Sequence, residues 1–364
     1  MSIFNEEERT QYARHFSLPD FGEEGQARLR AGRVLVVGAG GLGCPALSYL
    51  AAAGVGKIGI VDPDQVSRSN LQRQVLYGVD DLGKKKSEVA KVRLQNMNPH
   101  IQIVSYPVAL TPDNVFDLLE GYDLVLDGTD NFATRYLIND ACVLQGRINI
   151  YASIFRFDGQ LAVFNQTRPD GKRGANYRDL FPTPPPPDSI PDCATGGVLG
   201  VLPGIVGTLQ ATEAIKVLAG IGESLSGYLL LIDALSMSFR RIRIPINPAA
   251  SIQDLTWYDQ YCQLPSPPAS QQVVRWEEVK NMQPQPILVD VRTPAEHRAK
   301  ALGDLCIPLA ELAERISELP TERPILFYCQ TGKRSLRALN LAFELLPSTP
   351  IFHLEGGIES VIKS

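Results

Sequence analysis

The segment RVLVVGAGGLGC, residues 33–44, decides the fold of most of the chain because an apolar run passes directly into a glycine-rich turn. Residues 34–38 predict a buried strand and residues 44–53 predict a helix, so the glycines lie where a strand becomes a helix. Asp62 ends the next predicted strand, about twenty residues after the turn. Glycines let phosphate oxygens approach the backbone, the helix N-terminus attracts negative charge, and Asp62 can hold ribose hydroxyls. The segment therefore predicts a nucleotide site on an α/β sheet.

Strand and helix patterns continue to alternate as far as residue 154, which is typical of a parallel sheet flanked by helices. Three later strand patterns, at residues 160–165, 228–233 and 239–244, favour a more antiparallel continuation of the same sheet. Residues 203–219 predict a long apolar helix. We therefore expect an α/β fold whose main domain is Rossmann-like with a mixed sheet.

Two proline-rich stretches interrupt this pattern. Residues 181–187, FPTPPPP, predict an extended crossing loop, and residues 247–271 predict a linker. A smaller α/β unit follows the linker. At 364 residues the chain exceeds what one core usually organises, so we expect one domain at residues 1–246 and a second at residues 272–364.

The composition narrows the classes of partner. A net charge of −5 and a charged fraction of 21% argue against binding to a nucleic-acid backbone. The longest uncharged stretch, residues 34–56, contains Pro45 and several glycines, and belongs to the predicted core rather than to a membrane. The acidic N-terminus lacks the features of a signal peptide, so we expect a cytoplasmic protein without a membrane partner. Six cysteines, at positions 44, 142, 193, 262, 306 and 329, show no paired spacing, which argues against a disulfide framework.

The loop after Asp62 carries positive charge. The sequence SNLQRQ, residues 69–74, supplies a cation and amide side chains, and GKKK, residues 83–86, begins the next predicted helix. The glycine turn alone favours NAD or FAD, but a triphosphate cleaved between its α and β phosphates needs such cations. Arg73 and Lys86 suit the leaving pyrophosphate. The alternative is that these cations are solvated surface residues.

A carboxylate follows the next predicted strand. The sequence DGTDN, residues 127–131, lies at the carboxyl end of that strand, where ligands of parallel sheets bind. Asp130 can hold Mg²⁺ beside the α-phosphate. The alternative is that Asp130 caps the following helix.

Together these motifs resemble those of the adenylating enzymes for ubiquitin-like sulfur carriers, which are the ThiF/MoeB-type molybdopterin-synthase and thiamine sulfur-carrier adenylyltransferases, relatives of ubiquitin-activating enzymes. The resemblance covers about residues 8–246 and includes the helix at residues 209–216. It implies that ATP activates the carrier's C-terminal Gly-Gly carboxylate as an acyl-adenylate. The implied contacts to ATP and its Mg²⁺ are Gly38, Gly40, Gly41, Gly43, Asp62, Ser69, Asn70, Leu71, Gln72, Arg73, Lys86, Asp130 and Asn131.

The same resemblance implies a homodimer. Arg14, in the sequence YARH, matches an arginine that family members donate across the dimer interface. Dimerisation would then complete each adenylation site.

The chain departs from the family at one corner. Many members bind structural zinc through two Cys-x-x-Cys pairs, but residues 176–179 read NYRD where the first pair belongs. A second pair is also missing after Asn247. We therefore predict no zinc ligands and no zinc.

Cys193 is a candidate nucleophile, since it follows the proline-rich loop and precedes a glycine-rich turn in PDCATGGV, residues 191–198. In the family, a cysteine at this position is proposed to form a thioester or acyl-disulfide with the carrier. The alternative is a structural cysteine. Cys44 is expected under the phosphate loop and Cys142 inside a helix face, and no reaction is assigned to either of them or to Cys262 and Cys306.

A second motif, PILFYCQTGKRS at residues 324–335, delivers Cys329 from a strand pattern into a helix start. Backbone N–H groups, the helix dipole and the adjacent Lys333 and Arg334 all favour a thiolate. Four residues separate Cys329 from Arg334, one fewer than in tyrosine-phosphatase-like loops, and this tighter loop suits an extra sulfur atom better than a phosphate. The alternative is a buried structural cysteine.

This loop, together with VDVR at residues 289–292 and HLEGGI at residues 353–358, resembles a single rhodanese sulfurtransferase domain of smaller α/β type. The resemblance implies a structural role for Asp290 and Arg292. It also implies a persulfide on Cys329, held in a loop formed by Cys329, Gln330, Thr331, Gly332, Lys333 and Arg334.

Both resemblances combine into one predicted function. ATP adenylates the carrier, the Cys329 persulfide attacks the adenylate, and cleavage of the acyl-disulfide with Cys193 releases a thiocarboxylate. An upstream donor, a cysteine desulfurase or thiosulfate, loads Cys329. The alternatives are a nucleotide-dependent oxidoreductase, and activation of a ubiquitin-like protein for conjugation with a rhodanese domain that only docks the carrier.

Overall fold

In the computed structural model, the described residues are 3–168, 170–184, 197–247, 251–255, 258, 272–303, 305–346 and 349–362. The chain divides into two compact units, Met1–Tyr261 and Cys262–Ser364. The division falls inside the stretch predicted as a linker. Leu255 and Tyr258, also in that stretch, pack against the core of the first unit.

The first unit is built on an eight-stranded sheet of order β3-β2-β1-β4-β5-β6-β7-β8. Strands β1 to β5 pair in parallel, and β5 to β8 pair antiparallel. The predicted mixed sheet is therefore confirmed. The strands are β1 Arg33–Val37, β2 Lys57–Val61, β3 Gln102–Tyr106, β4 Leu124–Asp127, β5 Ile148–Phe155, β6 Asp158–Phe164, β7 Tyr228–Asp233 and β8 Ser238–Arg243.

Helices cover both faces of the parallel part of the sheet. They are α1 Glu6–Gln11, α2 Ala13–Phe16, α3 Gly22–Ala31, α4 Gly43–Ala53, α5 Lys86–Met97, α6 Val115–Leu119, α7 Phe132–Leu144, α8 Tyr177–Leu180 and α9 Leu202–Ala219. Strand β1 is apolar throughout its buried part because both of its faces are covered. Val34 and Val36 pack in the same cluster as residues of α4 and α9, and Leu35 packs on the opposite face with α6 and α7.

The second unit has a five-stranded parallel sheet of order β11-β10-β12-β13-β9. Its strands are β9 Val273–Val274, β10 Ile287–Asp290, β11 Leu305–Cys306, β12 Ile325–Tyr328 and β13 Ile351–Leu354. Its helices are α10 Trp276–Val279, α11 Pro294–Ala299, α12 Lys333–Leu345 and α13 Gly357–Ile362. Phe327 and Tyr328 point into two different clusters, so the central strand β12 is buried on both faces.

Within the described residues, no helix combines the length and the apolar content that crossing a bilayer requires.

Candidate active sites

The glycine turn after β1 is packed at its ends and open at Gly40. Gly38 has a φ of +93°, and a Cβ there would lie 2.8 Å from the carbonyl oxygen of Gly128. A Cβ on Gly43 would lie 2.0 Å from the carbonyl oxygen of Gly38. At Gly40, by contrast, a Cβ would meet only Gln74 Nε2, at 3.6 Å. The space over Gly40 therefore suits the close approach of a phosphate to the backbone.

Asp62, which directly follows β2, lies against this turn. Its Oδ2 accepts the N–H of Ala39 at 2.7 Å and its Oδ1 accepts the N–H of Asp64 at 2.8 Å. Burial raises the pKa of Asp62, while the Lys86 ammonium and both N–H groups act in the opposite direction. Two backbone hydrogen bonds therefore fix the Asp62 carboxylate against the glycine turn.

Lys86 begins α5 and is buried, with a side chain that is 6% exposed. Its Nζ lies 2.9 Å from Oδ2 of Asp64. The alternative that the cations are solvated surface residues is therefore wrong for Lys86, although it fits Lys84, which is 60% exposed.

The 69–74 loop also lies against the glycine turn. Arg73 donates to the carbonyl of Ser69 at 3.1 Å, and a Cβ on Gly41 would lie 3.6 Å from Arg73 Cγ. The carbonyl of Asn70 accepts the N–H of Gln74 at 2.9 Å, which folds the loop back on itself. Leu71 packs on the main core cluster, and Gln72 lies against Gly200 just before α9.

The turn that carries Asp130 is fixed by the residues around it. Asp127 is fully buried, and its Oδ1 accepts both the N–H and the Oγ1–H of Thr129, at 3.0 and 2.6 Å. Arg135, from α7, donates to the carbonyl of Thr129 at 3.1 Å. Burial raises the pKa of Asp127, and the positive charge of Arg135 offsets part of this increase. Asp130 is left exposed at the end of this turn.

Asn131, not Asp130, caps α7. Its backbone is extended and its Oδ1 accepts the N–H of Thr134 at 2.9 Å. The alternative that Asp130 is the N-cap is therefore wrong.

Sequence reasoning missed four buried or bridging residues of this site: Asp64, Gln74, Thr129 and Arg135. Gln74 is 4% exposed, and its Oε1 has no hydrogen-bond partner among the described residues, so it is a further candidate for contact with the nucleotide. Asp64, Gln74 and Thr129 lie in the same loops as predicted site residues, and this proximity in sequence could have pointed to them. Arg14 lies exposed on α2, and Cys193 lies outside the described residues.

The corner that departs from the zinc pattern is held by an ion pair. The Asp179 carboxylate accepts hydrogen bonds from both terminal nitrogens of Arg173, at 2.7 and 2.9 Å, and from the N–H of Asn176 at 2.8 Å. The N–H of Asn247 donates to the same carboxylate at 2.7 Å. Among the described residues, no group of three or more histidine, cysteine, aspartate or glutamate side chains could hold a metal ion.

Cys329 directly follows β12 and is 1% exposed. Its Sγ accepts the N–H of Ser335, in the first turn of α12, at 3.4 Å. Gly332 precedes that helix with a φ of +88°. The strand-to-helix cysteine predicted from the sequence is thus present, with one helical N–H directed at its sulfur.

Arg334, one of the two cations expected beside Cys329, is bound to a carboxylate. Its guanidinium donates to both oxygens of Glu296, at 3.0 and 2.7 Å. This pairing lowers the pKa of Glu296 to about 2. The positive charge near the sulfur is therefore partly neutralised.

The cysteine loop is walled by the turn before α13. A Cβ on Gly357 would lie 2.3 Å from the carbonyl oxygen of Cys329, and that carbonyl accepts the N–H of Ile358 at 2.9 Å. On the other side, Arg292 forms a buried fork with Asp290 and donates to Oε1 of Gln330 at 3.1 Å. Backbone and side-chain contacts therefore fix the first two residues of the loop, Cys329 and Gln330.

Two other cysteines are buried and inert in character. Burial raises the pKa of Cys44 to about 12 and also raises the pKa of Cys142. Both lie where the sequence predicted them, under the glycine turn and inside α7.

Comparison with known proteins now identifies the family. The sequence model of the ThiF family matches residues 12–252. The chain belongs to the ThiF family. A rhodanese-like domain matches residues 275–364 of this ThiF-family chain.

Similar proteins of known name carry both parts. The "probable adenylyltransferase/sulfurtransferase MoeZ" of Mycobacterium tuberculosis is 46% identical, with 100% of this chain and 95% of that protein covered. The sulfur carrier protein adenylyltransferase of Thermus thermophilus is 50% identical over 72% of this chain and 99% of its own length. The adenylyltransferase and sulfurtransferase MOCS3 of Drosophila grimshawi is 40% identical over 96% and 83%. The ThiF-family chain is therefore an adenylyltransferase and sulfurtransferase, and the oxidoreductase alternative is wrong.

Solved structures agree on the fold. The structure of E. coli MccB with ATP has a TM-score of 0.56 and 22% identity, and covers 66% of this chain and 74% of that chain. At this identity the likeness concerns the fold alone. Adenylyl transfer implies ATP as the nucleotide of the first unit.

Proposed function

We propose that this ThiF-family chain uses ATP to adenylate the C-terminal Gly-Gly carboxylate of a ubiquitin-like sulfur carrier and then replaces the adenylate with sulfur from a Cys329 persulfide. The product is a carrier thiocarboxylate. The named relatives support the two activities, and the residues below support their assignment to the two units.

The first unit supplies the groups that adenylation needs. The open face of Gly40 and the N-terminus of α4 would receive phosphate oxygens, and Asp62 would take the ribose. Arg73 and Lys86 would stabilise the charge that develops on the leaving pyrophosphate. The acyl-adenylate then has AMP as its leaving group, which makes the carrier carboxyl carbon an electrophile.

Asp130 is the residue that fits a Mg²⁺ ion. It is exposed, it makes no hydrogen bond or ion pair with the described residues, and its turn touches the glycine turn through Gly128 and Gly38. Carboxylate and phosphate oxygens are the ligands that Mg²⁺ prefers. When bound, the ion would neutralise negative charge on the phosphates.

One observation carries the sulfur-transfer half: Cys329 Sγ accepts a helical N–H at the start of α12, in a loop whose first two residues are held by neighbouring contacts. A terminal persulfide sulfur on Cys329 would attack the acyl carbon and expel AMP, leaving an acyl-disulfide. The Cys193 thiolate would then attack Sγ of Cys329, forming a Cys193–Cys329 disulfide and releasing the thiocarboxylate. A cellular thiol must reduce that disulfide before the next cycle.

Assembly and supply are further parts of the proposal. Arg14 is exposed on α2, where it would be available to a second subunit, and this supports a homodimer. A cysteine desulfurase or thiosulfate would deliver sulfane sulfur to Cys329.

The test combines mass measurement with pyrophosphate exchange. The full chain is mixed with ATP, Mg²⁺, thiosulfate and a carrier ending in Gly-Gly, and the carrier must gain the mass of an oxygen-to-sulfur exchange. Asp130→Ala should abolish both this gain and pyrophosphate exchange, whereas Cys329→Ala should abolish only the gain. Cys306→Ala is the matched control in the second unit and should leave both intact. A gain that persists in Cys329→Ala would reject the assignment of the sulfur step.

The low exposure of Cys329 favours one alternative, in which the second unit only docks the carrier during activation for conjugation. In that case Cys329→Ala changes nothing, and the carrier becomes attached to lysines without gaining sulfur.

A further inference from the structure

Asp64 lies between two residues of the nucleotide site and contacts both of them. Its N–H donates to Oδ1 of Asp62 at 2.8 Å, and its carbonyl accepts the N–H of Lys86 at 2.9 Å. Its carboxylate Oδ2 accepts the Nζ of Lys86, also at 2.9 Å. One residue thus joins the turn after β2 to the first residue of α5.

The two members of the Asp64–Lys86 ion pair differ in exposure. The Lys86 side chain is 6% exposed, and that of Asp64 is 64% exposed. A buried ammonium needs a charged or polar partner, and the buried Asp62 carboxylate also interacts electrostatically with it. Asp64 is therefore the solvent-exposed partner whose ion pair fixes the orientation of the Lys86 side chain.

The position of Asp64 also has a cost for nucleotide binding. An exposed carboxylate within 2.9 Å of a phosphate-binding ammonium repels an approaching triphosphate and competes with it for the same cation. Orientation of Lys86 favours the transition state, whereas the extra negative charge disfavours the bound triphosphate. The two effects act on different kinetic parameters.

We propose that Asp64 is a positioning residue, which holds the Lys86 ammonium in place for the adenylation step at the expense of ATP affinity. The inference rests on the proposed function, because it requires Lys86 to act on the triphosphate. It adds to that function a residue that acts through Lys86 and need not touch the carrier or the sulfur.

The experiment uses the full chain with the substitution Asp64→Asn, which keeps both backbone contacts and removes the charge. Pyrophosphate exchange with a Gly-Gly carrier gives kcat, and equilibrium binding of a non-hydrolysable ATP analogue gives Kd. We expect kcat to fall about tenfold while the Kd stays equal or decreases. Asp64→Glu, which retains the charge, should recover part of the kcat. Asp80→Asn, at an exposed carboxylate of the same region, should change neither parameter.

A double substitution separates positioning from a general structural role. In a Lys86→Met background, Asp64→Asn should have no further effect on kcat, because the group that it positions is gone. An unchanged kcat in Asp64→Asn, or a fall in kcat with weaker analogue binding, would overturn the inference while leaving the proposed function in place. Absence of pyrophosphate exchange in the unsubstituted chain would instead reject the proposed function and the inference with it.

Discussion

The carboxylate of Asp179 accepts the backbone N–H of Asn247 at 2.7 Å, although 68 residues separate the two in sequence. Asp179 lies in α8, after the antiparallel strand β6, and Asn247 follows β8. Arg173 completes the contact by donating to Asp179 and to the carbonyl of Asn247. This clasp ties the segment before the proline-rich loop to the end of the sheet, at the corner where the sequence predicts no zinc ligands.

Because of the clasp, the first unit should become less stable as the pH falls into the acid range. Burial raises the pKa of Asp179, but hydrogen bonds from Arg173, Asn176 and Asn247 outweigh burial and hold it below its usual range. A lowered pKa stabilises the fold above the unfolded-state value of about 4, and this contribution is lost as pH falls through the folded-state value. We expect Asp179→Asn to lower the free energy of unfolding by about 1.5–3 kcal/mol at pH 7, and by less near pH 3, below the unfolded-state pKa.

Urea unfolding at the two pH values measures this difference. Asp170→Asn is the control, because Asp170 pairs with Arg168 at 3.0 Å on the surface, where both side chains are more than 40% exposed. Its loss should change stability by less than about 1 kcal/mol. An Asp179→Asn effect that is equally large at both pH values would contradict the ionic origin of the clasp.

Removal of metal should not affect the first unit. Charge-assisted hydrogen bonds between Arg173 and Asp179 hold this corner, so no ligand is expected to leave when a chelator is added. Thermal unfolding with and without a strong zinc chelator should give the same midpoint. A chelator-dependent fall in the midpoint, restored by zinc, would refute the prediction that zinc is absent.

The glycine turn allows a substitution that separates binding from folding. A Cβ at Gly40 would meet only Gln74 Nε2, at 3.6 Å, so Gly40→Ala should change the free energy of unfolding by less than about 1 kcal/mol. It should nevertheless weaken binding of an ATP analogue by about tenfold or more, because the methyl group occupies the space proposed for phosphate. Gly43→Ala is the contrast, since its Cβ would lie 2.0 Å from a backbone oxygen and should unfold the turn. Equal analogue binding by Gly40→Ala and the unsubstituted chain would place the phosphates elsewhere.

The glycine turn and β1 show what the sequence could predict. Continuous apolar residues before Gly38 dictate a strand covered on both faces, and the glycines dictate a turn, so the parallel sheet and Asp62 follow from local pattern. The short strand β9 of the second unit has only two residues, too few for any periodic pattern, and it exists because the longer β13 pairs with it. The role of Asp64 was equally hidden, because it depends on a contact with Lys86, 22 residues away.

The hydrogen bond between Thr129 and Asp127 should affect how Asp130 binds the proposed Mg²⁺ ion. Thr129→Val removes the Oγ1–H that donates to Oδ1 of Asp127 at 2.6 Å. The buried carboxylate oxygen then loses a hydrogen bond, and the turn that carries Asp130 is held less firmly. We expect the kcat of pyrophosphate exchange to fall about tenfold and the Mg²⁺ concentration for half-maximal rate to rise. Thr129→Ser retains the hydroxyl and should stay close to the original enzyme. If the valine and serine variants behave alike, the hydroxyl has no part in positioning Asp130.

The wall of the cysteine loop should be needed for sulfur transfer and not for adenylation. In Gly357→Ala, the new Cβ would lie 2.3 Å from the carbonyl oxygen of Cys329, so the loop or the turn before α13 must move. Gly356→Ala is a matched control, because Gly356 has a similar φ of +69° but its Cβ would meet only Ser360, the nearest atom being the side-chain Cβ at 3.0 Å. Both variants carry the strain of an alanine at positive φ, about 1 kcal/mol, and only the first displaces the cysteine loop.

We therefore expect Gly357→Ala to reduce thiocarboxylate formation about tenfold or more, with pyrophosphate exchange unchanged, while Gly356→Ala loses much less. The two rates are measured on the same preparations by carrier mass and by exchange of labelled pyrophosphate. Similar losses in both variants would mean that backbone strain, and not the position of Cys329, limits the sulfur step.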